Sequence, residues 1–122
     1  MAQDLSGLRA VVLKALDDLK AVDVTVLDVS ALTSLTSLMV VATGTSNRHV
    51  RAIAEAARDA AKAAGYNVLG VEGEAGAEWV LVDLVDLVLH VMLPATRALY
   101  RLEDLWSARP GQGRTGQVGD GA

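Results

Sequence analysis

The stretch LMVVATGTSNRHVRAIAEAARDAAKAA, residues 38–64, decides the fold. Its first six residues are almost all apolar, which is typical of a strand buried on both faces. Its alanine-rich part places Val50, Ile53 and Ala57 on one side of a helix and charged residues on the other. Ser46 is a candidate N-cap and Gly65 a candidate helix end. A strand that leads directly into an amphipathic helix predicts an α/β fold.

Upstream of this stretch, the pattern predicts one helix and one strand. Apolar residues recur at spacings of three and four over residues 5–22, from Leu5 to Leu19, and either Asp4 or Ser6 could cap this helix. A β-branched run at residues 24–29 predicts a strand, and the Ser- and Thr-rich residues 30–37 predict a connection.

Downstream, three short apolar runs predict strands at residues 67–72, 79–84 and 87–92, the last two forming a hairpin. Pro94 is placed to start a final helix, whose apolar face would contain Ala98, Leu99, Leu102, Leu105 and Trp106. The order α-β-β-α-β-β-β-α predicts a single α/β domain, a mixed sheet flanked by helices, over residues 1–106. We expect the Gly-rich residues 107–122 to be a flexible tail that folding does not need.

Composition excludes several classes of protein. The 122 residues are 52% apolar, which is too high for intrinsic disorder, and they contain no Cys, which excludes disulfides and cysteine-bound zinc. The net charge of −4 disfavours direct nucleic-acid binding, which needs basic side chains. The richest apolar run, residues 80–93, is too short and too charged for a membrane span. Without a recognisable signal peptide, we expect a cytoplasmic protein that does not bind membranes.

Acidic charge is concentrated in the second half of the chain. Residues 67–104 contain seven acidic and two basic side chains, whereas residues 1–66 contain seven of each. Such a surface suits a basic protein partner, because complementary charge steers association and selects partners.

Four motifs, in this order and spacing, resemble the ribosomal silencing factor family, also called Iojap-like proteins. They are ATGTS followed by RHV at residues 42–50; VEG at 71–73; EW at 78–79 with Asp83, Asp86 and His90; and Arg97, Tyr100 and LEDLW at 102–106. The resemblance covers nearly the whole chain from Leu8 to Trp106 and leaves the Gly-rich tail outside.

The resemblance implies a function without catalysis. Family members have a fold related to nucleotidyltransferases and bind the large ribosomal subunit at its universal protein fourteen, on the subunit-joining face. There they block docking of the small subunit when nutrients are scarce. Many family members form homodimers when free, although the sequence itself leaves the oligomeric state of this chain open. The acidic surface fits a ribosomal contact through a basic protein, since ribosomal proteins are commonly basic. We expect neither a cofactor nor a metal.

Six residues are our candidates for the partner contact. Trp79 and Leu84 would supply apolar burial. The pattern alone would allow Trp79 to fill the core, but the resemblance implies an interface position, and an exposed Trp at the start of a strand makes a good anchor. Asp83 and Asp86 would supply charge complementarity. Glu72 and Tyr100 are weaker candidates, and Trp106 is assigned to the core because it ends an amphipathic face.

Two alternative functions are weighed against this one. A small nucleotide-binding enzyme of nucleotidyltransferase-like fold would use the turn at residues 44–47 for phosphate and acids such as Asp83 for metal. Such enzymes need two or three carboxylates, and the next strand, NVLGVE, has only Glu72. We therefore favour a helix cap at the turn and a polar cluster of Asp83, Asp86 and His90 at the hairpin. The second alternative is a homodimeric scaffold without a ribosomal role.

Two residues depart from the family pattern. Ser37 stands where the family often has Asp, and Val85 stands where it usually has Gly. A tight hairpin often needs a positive φ, which is costly for a β-branched residue. The turn at Val85 is therefore expected either to use another geometry or to be strained.

Overall fold

The first helix of the computed structural model, which describes residues 4–102 and residue 104, is shorter than predicted. Helix α1 spans Leu5–Asp18, and the carboxylate of Asp4 caps it by accepting a hydrogen bond from the amide of Gly7 at 3.2 Å. The predicted end at residue 22 is wrong, because Lys20 adopts a φ of 59° that interrupts the helix.

Five strands form one mixed sheet, as predicted. They are β1 (Val22–Asp28), β2 (Leu38–Thr43), β3 (Gly70–Glu72), β4 (Trp79–Asp83) and β5 (Leu87–Met92), in the spatial order β1-β2-β5-β4-β3. Only the β2–β5 pair is parallel among the four strand pairs of the described chain. Strand β3 begins later than predicted because Gly70 already pairs with the last residue of β4, Asp83.

Helix α2 spans Asn47–Ala63, close to its predicted bounds. The hydroxyl of Ser46 accepts a hydrogen bond from the amide of His49 at 3.1 Å, which confirms the predicted N-cap. The Nδ1 atom of His49 accepts from the amide of Thr45 at 2.9 Å, so its Nε2–H donates to the carbonyl oxygen of Leu19 at 2.7 Å. His49 thus joins the start of α2 to the end of α1.

The two long helices cover one face of the sheet and form the main core with it. The fully buried side chains of this core include those of Leu8, Leu16, Val40, Ile53, Leu84, Leu87 and Leu89. A second, smaller cluster lies on the opposite face, where Val29, Met39, Val41 and Met92 contact the partly buried Trp79 and Leu102.

The last helix, α3 (Pro94–Tyr100), starts at the predicted proline but does not bury the predicted apolar face. Leu99 is 75% exposed and Ala98 is also exposed, since Arg101 turns into the left-handed region and ends the helix. Leu102 then contacts the second cluster. The predictions for Leu105, Trp106 and the tail at 107–122 fall outside the described residues. Within the described chain, no helix combines the length and apolar character needed to span a bilayer.

Candidate functional site

One face of the sheet is left uncovered by α1 and α2 at β3, β4 and β5. We call it the open face and define it by six side chains that alternation and cross-strand pairing place together: Glu72, Trp79, Leu81, Asp83, Val88 and His90. Along β4, burial alternates: Val80 and Val82 are fully buried, whereas the open-face residues of this strand are only partly buried. His90 is buried, but the other five side chains of the open face are partly or fully exposed and form a surface that is both apolar and acidic.

Trp79 is half-buried on this face, so the sequence-based view of it as a freely exposed anchor needs correction. Its indole Nε1–H donates to Nδ1 of His90 at 3.0 Å. The Tyr100 ring lies against it, with ring centroids 5.0 Å apart and planes tilted by 51°. The ring is held from two sides and keeps part of its surface available to a partner.

Leu84 was predicted to contact the partner, and the structure shows that this placement is wrong. Its side chain is 0% exposed and belongs to the main core beneath the helices. Successive side chains of a strand point to opposite faces, so Leu84 lies opposite to Asp83. The apolar neighbour of Trp79 on the open face is instead Leu81, which is only partly buried.

The β4–β5 connection is a tight turn centred on Val85, which adopts a φ of 74°. The amide of Asp86 donates to the carbonyl oxygen of Leu84 at 3.0 Å, which makes this a three-residue γ-turn with a positive central φ. The Asp83 carboxylate accepts from the Val85 amide at 2.9 Å. The departure from the family's glycine thus leaves a β-branched residue in a strained conformation.

The remaining candidates, Glu72, Asp86 and Tyr100, come from three different elements around the open face. Glu72 lies opposite Leu81 in the β3–β4 pair, and therefore shares the open face with Trp79 and Asp83. Asp86 lies in the adjacent turn, and its carbonyl oxygen accepts hydrogen bonds from the amides of residues 37 and 38. Tyr100 is 57% exposed and reaches the open face from α3.

His90 hydrogen-bonds to Trp79, and the Asp83 carboxylate accepts from the Val85 amide in the turn. His90 pairs with Leu81 across the sheet, whereas Asp83 pairs with Val88, two residues closer to the turn. The cluster of Asp83, Asp86 and His90 stays a prediction. His90 is only 6% exposed, and burial lowers its pKa to about 4. The imidazole is therefore neutral at pH 7, and its neighbour Trp79 satisfies it, as the sequence predicted for a buried histidine.

Sequence reasoning missed the residues that hold the site in place. The Arg51 guanidinium donates to the carbonyl oxygen of Glu74 at 3.0 and 3.1 Å, and the Asn47 amide donates to that of Gly76 at 2.9 Å. Both side chains come from α2 and fix the loop that leads into Trp79. Their polarity and helical spacing were visible in the sequence, but their partners were not.

Arg97 is a third missed residue. Its guanidinium donates to the hydroxyl of Thr43 at 2.9 Å, to the hydroxyl of Thr25 at 3.0 Å and to the carbonyl oxygen of Asp23. These bonds attach α3 to β1 and β2. They thereby set the position from which Tyr100 reaches the Trp79 ring.

The geometry gives little support to a nucleotide or metal site. At the turn before α2, the amides of Thr45 and His49 are already bound, to the His49 ring and the Ser46 hydroxyl. Beta-strand β3 contributes one acid, Glu72. Within residues 4–102 and 104, no three His, Asp or Glu side chains are grouped as metal ligands.

Comparison with known proteins shows which family this arrangement belongs to. The family model described as "Ribosomal silencing factor during starvation" matches residues 2–119. The chain belongs to the ribosomal silencing factor family. A ribosomal silencing factor from Chromobacterium violaceum is 45% identical over 106 residues, covering 87% of each chain. One from Bacillus subtilis is 38% identical, covering 79% of this chain and 81% of its own.

One solved structure and a further sequence relative agree with this membership of the ribosomal silencing factor family. A crystal structure of a Chromobacterium violaceum protein has a TM-score of 0.84 and 42% identity, covering 97% of this chain and 98% of that one. A chloroplastic Iojap protein from Zea mays is 33% identical, covering 76% of this chain and 40% of its own length. These relatives are named as silencing factors or Iojap proteins and not as enzymes, and the family supports a ribosome-associated silencing role.

Proposed function

We propose that this ribosomal silencing factor binds the large ribosomal subunit at its universal protein fourteen through the open face and the adjacent turn. The bound protein occupies the place where the small subunit would dock, and it does so when nutrients are limiting. No bond is made or broken, so the activity depends on binding free energy and on the volume of the folded domain.

The observation that carries this proposal is the composition of the open face. It combines two partly buried apolar side chains, Trp79 and Leu81, with the acids Glu72 and Asp83, and Asp86 follows in the turn. A large ring surrounded by polar groups is typical of an interface anchor, and acidic neighbours favour a basic partner such as a ribosomal protein.

Co-sedimentation with isolated large and small subunits tests the proposal. The wild-type protein should sediment with large subunits only. Trp79→Ala should bind at least about 30-fold more weakly, since truncating an interface anchor costs about 2 kcal/mol or more. Thermal unfolding must show that this variant is folded. The proposal is wrong if the wild-type protein does not sediment, or if folded Trp79→Ala binds normally.

The contribution of charge has its own matched variants. Asp83→Asn with Asp86→Asn removes two charges but keeps an acceptor for the Val85 amide. Asp17→Asn with Asp18→Asn also removes two charges, from exposed positions of α1 on the far side of the sheet. The first should slow association and weaken its dependence on salt. Equal effects of the two variants would show that net charge, rather than the open face, controls binding.

We also propose that the free protein is a cytoplasmic homodimer. If the dimer and ribosome contacts share a surface, apparent affinity for large subunits falls as protein concentration rises. Sedimentation equilibrium of the free protein measures the dimer directly. A monomer at every concentration would contradict this part of the proposal and leave the ribosomal contact intact.

A further inference from the structure

Trp79 and His90 form a hydrogen bond on the open face. They are diagonal neighbours on β4 and β5, because Trp79 pairs with Met92 and His90 pairs with Leu81. The indole Nε1–H donates to the imidazole Nδ1 at 3.0 Å, with ring centroids 5.9 Å apart. The buried imidazole of His90 thus contacts the indole of Trp79, which is the proposed interface anchor.

The chemistry of the two rings fixes the direction of this bond. An indole nitrogen only donates, so Nδ1 of His90 must be an unprotonated acceptor, and the ring hydrogen lies on Nε2. Burial disfavours the charged imidazolium, which keeps the acceptor available at neutral pH. A leucine at this position would fill space in the sheet but would offer no acceptor.

The bond also restricts how the indole ring can be oriented. Tyr100 contacts one side of the ring, while His90 binds its nitrogen. Without an acceptor, the half-buried indole N–H would be unsatisfied, and rotation toward water would relieve that cost. The rotation would change which edge of Trp79 the open face presents.

We propose that His90 is a positioning residue for partner binding, whose Nδ1 atom holds the Trp79 indole in the orientation that the partner recognises. This role rests on the proposed function of the open face. Preorientation matters because ordering a mobile ring at the moment of binding reduces affinity. His90 itself is nearly inaccessible and acts through Trp79.

Two variants of similar size separate this role from simple packing. His90→Asn keeps an acceptor oxygen on the atom corresponding to Cγ, whereas His90→Leu places a methyl group there. Both are made with Trp106→Phe, so that Trp79 gives the one indole signal. The indole ¹H–¹⁵N resonance should keep its position in His90→Asn, and should move upfield with faster solvent exchange in His90→Leu.

Affinity for large subunits should follow the same pattern. We expect His90→Leu to bind roughly fivefold to tenfold more weakly, and His90→Asn to stay within about twofold of the parent protein. If both variants lose affinity equally, or if His90→Leu leaves the indole resonance and the affinity unchanged, His90 does not position Trp79.

A second variant covers the case in which His90→Leu does not fold. Trp79→Phe keeps an aromatic ring and leaves His90 in place but removes the donor, and it should also bind roughly fivefold more weakly. Unchanged affinity of folded Trp79→Phe would overturn the proposal. Failure of the wild-type protein to bind large subunits would overturn the proposed function, while the indole resonance would still test the His90–Trp79 bond.

Discussion

A Cβ atom built on Gly73 would lie 2.2 Å from the carbonyl oxygen of Trp79. Gly73 also has a φ of 89°, in the region that only glycine adopts without strain. The loop before β4 can therefore cross the peptide of Trp79 closely. This contact fixes the point at which Trp79 enters the strand.

Gly73→Ala should destabilise the protein, because the new methyl group meets backbone that cannot move aside and φ stays positive. We expect the free energy of unfolding in urea to fall by roughly 2 kcal/mol or more. Gly76→Ala is the control, since nothing lies within 4 Å of its Cβ position. It should change stability by less than about 0.5 kcal/mol. Similar losses in both variants would contradict this explanation.

Leu81 and Leu84 should respond in opposite ways to truncation. Leu84→Ala opens a cavity in the core, and should lower the free energy of unfolding by about 2–5 kcal/mol. Leu81→Ala should cost less stability but weaken binding to large subunits, because its side chain contributes to the open face. Urea unfolding and co-sedimentation of both variants provide the comparison. Weaker binding by a folded Leu84→Ala, with normal binding by Leu81→Ala, would restore the original assignment.

The misplacement of Leu84 shows where sequence reasoning went wrong. Resemblance and proximity to the turn selected Leu84, although Trp79, Leu81 and Asp83 share one face by a period of two. That periodicity was present in the sequence and would have chosen Leu81. The error came from weighting position along the chain above the geometry of a strand.

Other features followed correctly from local patterns. The β2 and β5 bounds, the Ser46 cap and the mixed sheet depend on neighbouring residues and short periodicities, which the sequence contains directly. The Trp79–His90 bond and the attachment of α3 by Arg97 depend on strand register and on residues more than fifty positions apart. Pattern alone does not specify such pairings.

The γ-turn at Val85 predicts an unusual gain in stability. A β-branched residue at a φ of 74° is strained by about 1–3 kcal/mol, whereas glycine adopts this φ freely. Two effects oppose this gain. Glycine lowers the free energy of unfolding by about 0.5–1 kcal/mol because the unfolded chain gains entropy, and the substitution removes the partly buried side chain of Val85. We expect Val85→Gly to raise the free energy of unfolding by roughly 0.5–1 kcal/mol, as measured in urea.

Val88→Gly provides the matched comparison for that variant. Val88 is also a partly buried valine, but it lies within β5, outside the residues with positive φ. Its replacement by glycine should destabilise the protein by about 1 kcal/mol or more, since strand entropy and packing are both lost. Destabilisation by Val85→Gly of the same size would show that the turn stores no strain.

Stability should fall as pH is lowered from about 6.5 to 4, in part because of His90. The unfolded chain binds a proton at the ordinary histidine pKa of 6.5, whereas burial lowers the pKa of native His90 to about 4. Between pH 6.5 and pH 4 the unfolded state binds more protons than the native state, so acidification favours unfolding. The free energy of unfolding falls by roughly 3 kcal/mol in total once the pH is below both pKa values. Urea unfolding of wild type and His90→Asn at pH 7 and pH 4 measures this. The variant should lose less stability on acidification, and parallel losses would mean that the pKa of His90 is the same in the native and unfolded protein.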